Sequence, residues 1–162
     1  MEATPLLKMF AITHGALHLN LKDVTHEESL VQPRPAGNCL NWVVGHIVAS
    51  RDRLLPMLGE EPVLPPGVGA RYGRGSQPVT DDGQARPLAE LIAALDRSQE
   101  RILGVIGRLD AEKLAAPMEG TGLPGNPKNV FETLAMFQFH EAYHVGQSGV
   151  LRRIAGRPGA IA

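Results

Sequence analysis

The sequence predicts an all-α fold, a four-helix bundle that forms a single domain over residues 1–162, and three observations lead to this prediction. Four long segments repeat apolar residues at intervals of three and four, which is the helical period. Proline and glycine cluster between these segments. No segment shows the alternation of apolar and polar residues that marks a half-buried strand. A chain of 162 residues can bury one sizeable core.

The first two predicted helices lie near the N-terminus. The first runs from about Pro5 to about Leu21, because proline suits an opening turn and apolar residues recur behind it at helical spacing. The second runs from Cys39 to about Met57, and Asn38 is its predicted N-cap. The stripe of the first helix consists of Leu7, Phe10, His14, Leu17 and Leu21.

The third and fourth predicted helices complete the bundle. The third spans about Pro87 to Leu109, with Pro87 at its N1 position. The fourth runs from about Lys128 to Ala155 and ends at Gly156, since glycine is the usual residue just past a helix end. A glycine- and proline-rich loop, residues 120–127, separates the two helices.

A long loop from Gly59 to about Arg86 separates the second and third helices. Prolines and glycines punctuate it throughout, and it follows neither a helical nor a strand period. Loops of this length inside a compact domain are usually functional lids or disordered segments. We expect this one to lie over one end of the bundle, with Tyr72 as its only aromatic anchor.

Composition excludes several functions. The net charge of −1 gives no basic field that would attract nucleic acid or an anionic membrane. The only cysteine, Cys39, cannot form an intrachain disulfide and is predicted to be a small buried side chain. No apolar stretch approaches the length of a membrane span, and the N-terminal residues do not resemble a secretory signal. These features predict a cytoplasmic protein.

A pair of histidines, His140 and His144, is the most informative feature of the sequence. Residues four apart lie on one face of a helix, so two imidazoles with this spacing can bind one divalent metal ion. Gln147 adds a third polar group to this face, which is apolar above and below. Buried polar groups need partners, so the band indicates a functional site. The other residues on this face are Thr133, Met136, Phe137, Tyr143, Leu151 and Ile154.

The second helix contributes one further histidine, His46. Its helical face consists mainly of residue types found in protein cores, so we expect the imidazole to point inward. If this face meets the fourth helix, three imidazoles converge on one point. Three protein ligands and an open position are typical of a catalytic zinc or nickel site.

The motifs around these histidines resemble those of one family. Asn41-Trp42-Val43-Val44-Gly45-His46 and His140-Glu141-Ala142-Tyr143-His144-Val145-Gly146-Gln147 are similar to the second- and fourth-helix motifs of DinB/YfiT-like proteins. The resemblance implies an up-down-down-up four-helix bundle, often a homodimer. It also implies a divalent metal held by His46, His140 and His144. Related members include transferases and isomerases that use low-molecular-weight thiols, and many members have no assigned reaction.

Three further residues are candidates for orienting a substrate. Tyr143 and Gln147 flank the histidines. They either hydrogen-bond a ligand or metal-bound water, or only cap the band of polar groups formed by His140, His144 and Gln147. Arg53 lies two turns beyond His46, where it either holds a substrate carboxylate or reaches solvent at the end of the bundle. Glu141 points about 100° away from His140, which argues against a role as general base.

Two other features have alternative interpretations. His14 and His18 form a second pair four residues apart. His14 is either a rim or core histidine with a backbone partner, which we favour, or an addition to the metal site. His26 is expected to be solvated in a polar loop. A strip of small residues on the fourth helix seats either a neighbouring helix or a dimer partner; it consists of Ala142, Val145, Gly146 and Gly149.

These observations favour a metal-dependent enzyme acting on a small molecule. The resemblance directs this prediction toward an S-transferase or isomerase that uses a low-molecular-weight thiol. A hydrolase using a metal-bound water is the first alternative, since the ligands are the same and only the nucleophile differs. A non-catalytic metal-binding or stress-related protein is the second. The sequence shows no serine or cysteine nucleophile with a paired base, so an acyl-enzyme mechanism has no support.

Overall fold

The four predicted helices are present in the computed structural model, which describes residues 2–118, 122 and 124–161. They are α1 (Thr4–Leu21), α3 (Leu40–Met57), α5 (Leu88–Ile106) and α7 (Val130–Ile154). Three short helices lie between them: α2 (His26–Ser29), α4 (Val68–Arg71) and α6 (Ala111–Ala115). The all-α class is confirmed, and no strand forms within the described ranges. Part of the predicted loop 120–127 lies outside the described residues.

The predicted helix ends lie within three residues of the observed ones, and those at Leu21 and Met57 coincide with them. Cys39 rather than Asn38 is the N-cap of α3, because its backbone is still extended, with φ −71° and ψ 170°. Pro87 is the N-cap of α5 rather than its N1 residue, and its carbonyl accepts the Leu91 N–H. The predicted end of α7 is close to the observed one, since Gly156 adopts a φ of +86° just beyond it.

Two of the short helices carry capping signals that the sequence analysis overlooked. Thr25 and Glu28 form a reciprocal capping box at the start of α2. Asp110 caps α6 by accepting the Lys113 N–H. His26 lies in α2 rather than in a loop, and its side chain is 25% exposed. Its Nε2 lies 2.7 Å from an Asp82 oxygen, and its Nδ1 accepts the Leu88 N–H.

The long helices pack so that each contacts two others. Helices α1 and α3 both pack against α5 and α7. The apolar core consists of two clusters, one around Leu17 and Ile47 and the other around Phe10 and Leu54. The up-down-down-up order implied by the resemblance stays a prediction. Among the residues described, no helix combines the length and apolar character that crossing a membrane requires.

A layer of polar side chains separates the two apolar clusters. At its centre, the Arg51 guanidinium of α3 donates to both carboxylate oxygens of Glu141 on α7, at 2.7 and 2.9 Å. These two side chains are only 3% and 4% exposed. Thr13 of α1 donates to Glu141 Oε1 at 2.5 Å. The remaining contacts of Arg51 are with α5, where its acceptors are Leu95 O, Ser98 Oγ and Gln99 Oε1.

This polar layer joins all four long helices at one level. All five N–H donors of the Arg51 guanidinium have acceptors. A buried charge with that many partners avoids most of its desolvation penalty. The layer therefore fixes how the helices are placed along one another, which apolar contacts alone do less strictly.

Removing one partner of this ion pair should be strongly destabilising. We expect Glu141→Ala to lower the free energy of unfolding by about 3–5 kcal/mol, because it leaves the Arg51 charge buried without a counterion. The double variant Arg51→Met/Glu141→Leu should recover much of this loss. Urea unfolding followed by circular dichroism measures both. The exposed carboxylate Glu100 provides a control, as Glu100→Gln should change the free energy by no more than about 0.5 kcal/mol.

Candidate metal centre

The three predicted histidine ligands converge, and we call them the three-histidine cluster. His140 Nε2 lies 3.1 Å from His46 Nε2 and 3.2 Å from His144 Nε2. Nitrogen ligands on a tetrahedral zinc ion, at 2.0–2.1 Å from the metal, lie about 3.3 Å from one another. The nitrogens are thus already spaced almost as a metal ion requires. One ligand atom from each residue lies within 4.8 Å of the others, so the cluster could hold a metal ion.

Hydrogen bonds on the far side of two rings determine where their lone pairs point. His46 Nδ1 lies 2.6 Å from the Tyr72 carbonyl oxygen, and His144 Nδ1 lies 2.7 Å from Gln147 Oε1. Both oxygens only accept, so both Nδ1 atoms carry hydrogen and both Nε2 atoms carry a lone pair. His140 Nε2 has at most one proton to offer these two lone pairs. A metal ion would satisfy all three nitrogens at once.

The environment keeps these imidazoles neutral. Burial lowers the pKa of His46 and of His144, although the hydrogen bonds to Tyr72 and Gln147 act in the opposite direction. Burial and then the neighbouring His144 and His46 lower the pKa of His140 to about 4. Neutral imidazole is the form that binds metal, so the lowered pKa of each ring favours its metal-binding form.

The loop 59–86 supplies the outer hydrogen bond to His46. The Tyr72 ring is fully buried, as predicted for the aromatic anchor of this loop. Its hydroxyl donates to Asn41 Oδ1 and accepts the Arg86 N–H. The ring lies directly on Gly45, where an added Cβ would come within 2.3 Å of Tyr72 Cδ1. A glycine one residue before His46 therefore allows the close approach that brings the Tyr72 carbonyl to the imidazole.

The same loop also holds the indole ring that packs on His46. Trp42 stacks on the imidazole with ring centroids 4.5 Å apart and an interplanar angle of 10°. The indole N–H donates to Ser76 Oγ of the loop at 3.0 Å. Stacking and hydrogen bonding together restrict rotation of the His46 ring, which keeps its Nε2 directed at the other histidines.

A cavity of about 1350 Å³ opens onto the three-histidine cluster, and we call it the histidine cavity. Helices α3 and α7 form one side of it, and loop 59–86 forms the other. His46 and His144 are buried and His140 is half-buried, so the ligand nitrogens lie at the inner end of an accessible space. Its apolar walls include Trp42, Leu64, Pro65, Pro66, Met136 and Phe137.

The three candidate orienting residues occupy different places. Arg53 is exposed and lines the histidine cavity. Gln147 contacts the far side of the His144 ring rather than the open space of the cavity. Its observed contact therefore orients His144, one of the three candidate metal ligands. Tyr143 is 59% exposed, and its ring meets the edge of His144 from outside the cavity lining. Their roles toward a substrate stay predictions.

Some residues that shape the site were missed from sequence. The Tyr72 carbonyl belongs to the backbone and carries no sequence signal, although Gly45 within an otherwise apolar helix hints at a close approach. Arg51 was missed because Arg53, two residues later, shares the face of His46. Glu141 faces Arg51, in agreement with the prediction that it points away from the site.

The interpretation of His14 as a histidine with a backbone partner is wrong. His14 and His18 meet Asp96 of α5, and they form a second group apart from the three-histidine cluster. His14 Nδ1 is buried and has no hydrogen-bond partner among the described residues.

The fold and the site together define an all-helical protein with three inward-facing imidazoles at the end of a cavity. The chain belongs to the DinB superfamily, whose sequence model matches residues 9–148. The structure is similar to the crystal structure of a conserved protein from Enterococcus faecalis, with a TM-score of 0.71 and 14% identity over 96% of this chain and 98% of that chain. At this identity the likeness establishes the fold alone. No curated protein sequence gives a significant match.

Stability of the metal-free protein should depend on pH through His140. Its pKa of about 4 in the folded state lies below the ordinary 6.5, so between these values the unfolded chain binds more protons. The free energy of unfolding should therefore fall as the pH drops through this window and level off below it. Urea unfolding of chelated protein at pH values above, within and below the window measures this. His140→Gln should show a shallower fall, and identical curves for both proteins would contradict the assignment.

Gly45→Ala tests the contact between α3 and the loop. The new methyl group overlaps the Tyr72 ring, so we expect a loss of about 1–3 kcal/mol in the free energy of unfolding and weaker metal binding. Gly146→Ala is the matched control, since it lies within α7 with nothing within 4 Å of the added Cβ. That change should stabilise the protein by about 0.4–1 kcal/mol. Equal metal affinity in Gly45→Ala and the wild type would show that the loop does not hold His46 in place.

Proposed function

We propose that the protein is a divalent-metal-dependent enzyme that transfers a low-molecular-weight thiol to a small electrophile, or uses such a thiol to isomerise one. The observation that carries this proposal is the three-histidine cluster, with Nε2 atoms 3.1 and 3.2 Å apart at the inner end of the histidine cavity. Three protein ligands leave a metal ion at least one position for a substrate.

The ligand chemistry supports zinc or nickel. His46, His140 and His144 are neutral nitrogen donors, which suit both ions, and they leave the double positive charge of the ion uncompensated. When bound, such an ion supplies Lewis acidity that lowers the pKa of a coordinated water or thiol. The protein's own contribution is to keep the rings neutral, to hold two of them through Tyr72 and Gln147, and to leave the cavity side open.

The size and the lining of the histidine cavity support two reactants. Its volume of about 1350 Å³ exceeds the roughly 300–1,000 Å³ that is usual for a site binding one small ligand. Apolar walls suit an electrophile of limited polarity. Arg53 lines the same space, and a guanidinium group suits the carboxylate that many low-molecular-weight thiols carry. This combination favours thiol transfer over a reaction with a single substrate.

A hydrolase is the second candidate, and it would need a carboxylate near the cavity that is able to act as a general base. Water needs a general base more than a thiol does, because a thiol has a pKa closer to neutrality. Asp52 accepts the N–H groups of Val63 and Leu64, and Glu141 is paired with Arg51. Glu61 also lines the histidine cavity and is exposed, so it is the carboxylate that a hydrolytic mechanism would use.

The proposed oligomer is a homodimer formed through α1 and α7. These two helices pack side by side, and both expose large apolar side chains. The strip of small residues was predicted to seat either a neighbouring helix or a dimer partner. Gly149 packs beside Asn20 of α1, whereas an added Cβ at Gly146 would meet nothing within 4 Å. Size-exclusion chromatography with light scattering tests the dimer. The exposed apolar residues are Met9, Ile12, Leu19, Phe139, Tyr143, Val150 and Ile154.

His140→Ala should remove the metal and the activity but leave the fold intact. Many apolar residues close the helices, so one ligand is not needed for them to form. We expect turnover to fall more than about 100-fold, beyond the loss seen when an outer partner of a ligand is removed. Metal analysis of tag-free protein and circular dichroism provide the measurements. Ala142→Ser, at an exposed position between the two ligands of α7, should match the wild type.

An electrophile screen distinguishes the two enzymes. Metal-loaded and chelated proteins are incubated with each electrophile, with and without common low-molecular-weight thiols. Turnover that requires both the metal and a thiol supports the transferase or isomerase, whereas turnover with the metal alone supports the hydrolase. Equal rates in loaded and chelated protein, or loss of helical structure in His140→Ala, would instead favour a protein whose metal is structural.

A further inference from the structure

A second group of metal-ligand types lies outside the histidine cavity, between α1 and α5. His14 and His18 are one turn apart on α1, and Asp96 faces them from α5. His18 Nε2 lies 2.7 Å, and His14 Nε2 3.3 Å, from the same oxygen, Asp96 Oδ1. One ligand atom from each residue lies within 4.8 Å of the others. We call this group the α1–α5 cluster.

We propose that the α1–α5 cluster is a second binding site for a divalent transition-metal ion, with two imidazole nitrogens and one carboxylate oxygen as ligands. Two histidines and a carboxylate are a recognised ligand set for zinc and for ferrous iron. None of these residues belongs to the three-histidine cluster, so the two sites share no ligand.

The geometry is close to what coordination requires. Ligand atoms on a tetrahedral ion at about 2.0–2.1 Å lie roughly 3.3 Å apart, which is the spacing of His14 Nε2 and Asp96 Oδ1. The contact of His18 is a hydrogen bond of 2.7 Å and has to widen by about half an ångström to admit an ion. The two ring centroids are 4.5 Å apart, at the same separation as those of His140 and His144.

Partial exposure suits entry of an ion and completion of its coordination by water. The side chains of His14, His18 and Asp96 are 20%, 38% and 46% exposed. The Asp96 carboxylate also cancels part of the charge of an incoming cation, which the all-nitrogen cluster does not do. An ion here would link α1 to α5 and stabilise the protein only through its binding to the folded state.

This site should bind more weakly than the three-histidine cluster. An imidazole that binds metal through Nε2 carries hydrogen on Nδ1, and that N–H normally has an acceptor. Tyr72 and Gln147 provide such acceptors for His46 and His144, whereas the buried Nδ1 of His14 has no hydrogen-bond partner among the described residues. Leaving this donor unpaired costs free energy, so zinc should fill the three-histidine cluster first.

The test uses full-length, tag-free protein in which the first site is removed. In the His140→Ala/His144→Ala background, equilibrium dialysis against Zn²⁺ should show one bound ion per chain. Adding Asp96→Asn should weaken this binding by more than about tenfold, because the only anionic ligand is lost. Glu100→Gln removes the same charge from an exposed position of α5 one turn further on, and it should leave binding unchanged.

Two further measurements make the outcome decisive. Co²⁺ should give visible absorption bands in the background protein that disappear with Asp96→Asn, which separates coordination from loose charge attraction. His18→Gln replaces the more exposed histidine and should also abolish the bands. It provides the test if circular dichroism shows that Asp96→Asn folds poorly. Absence of Zn²⁺ binding in the background protein, or equal binding in the Asp96→Asn, His18→Gln and background proteins, would overturn the proposal. Neither result bears on the enzyme proposed above, because two of its three metal ligands, His140 and His144, are absent from these proteins.

Discussion

The buried ion pair of Arg51 and Glu141 is the constraint on which the rest of the molecule depends. It lies between two apolar clusters that would by themselves tolerate small shifts of one helix along another. The guanidinium has acceptors on α5 and α7, and Glu141 also accepts a hydrogen bond from Thr13 of α1. Such a shift would therefore leave a buried charge without its partners. Glu141 directly follows His140 in the chain. The polar layer that aligns α3 with α7 thus also sets the distance between His46 and His140.

The sequence predicts the parts of this structure that depend on local spacing. The four long helices follow from apolar periodicity, and the pair on α7 follows from helical geometry. Placing His46 beside that pair needed the family resemblance, because no local rule states which helices meet. The N-caps of α3 and α5 were each misplaced by one residue, because neighbouring residues suit a cap equally well and dihedral angles decide among them.

Other features could not be read from residue types. The acceptor for His46 is a main-chain oxygen of a loop, and every residue has one. Arg51 lies on the face of α3 that meets α5 and α7, whereas Arg53 lies on the face that lines the cavity. The sequence does not show which of these faces is buried. Asp96 is one of several acidic residues at exposed or partly exposed helical positions, and only packing brings it to His14 and His18.

The contact of Tyr72 with Gly45 has a consequence for how such a bundle diversifies. Loops usually vary freely because they touch the scaffold at few points. The Tyr72 ring of this loop packs directly on Gly45 of α3, where a side chain would overlap it, and the Tyr72 carbonyl is the acceptor for His46. Loop and helix therefore depend on each other for their structure. A chimera that receives the loop from another bundle would need the matching stretch of α3 as well, and the two segments should covary among relatives.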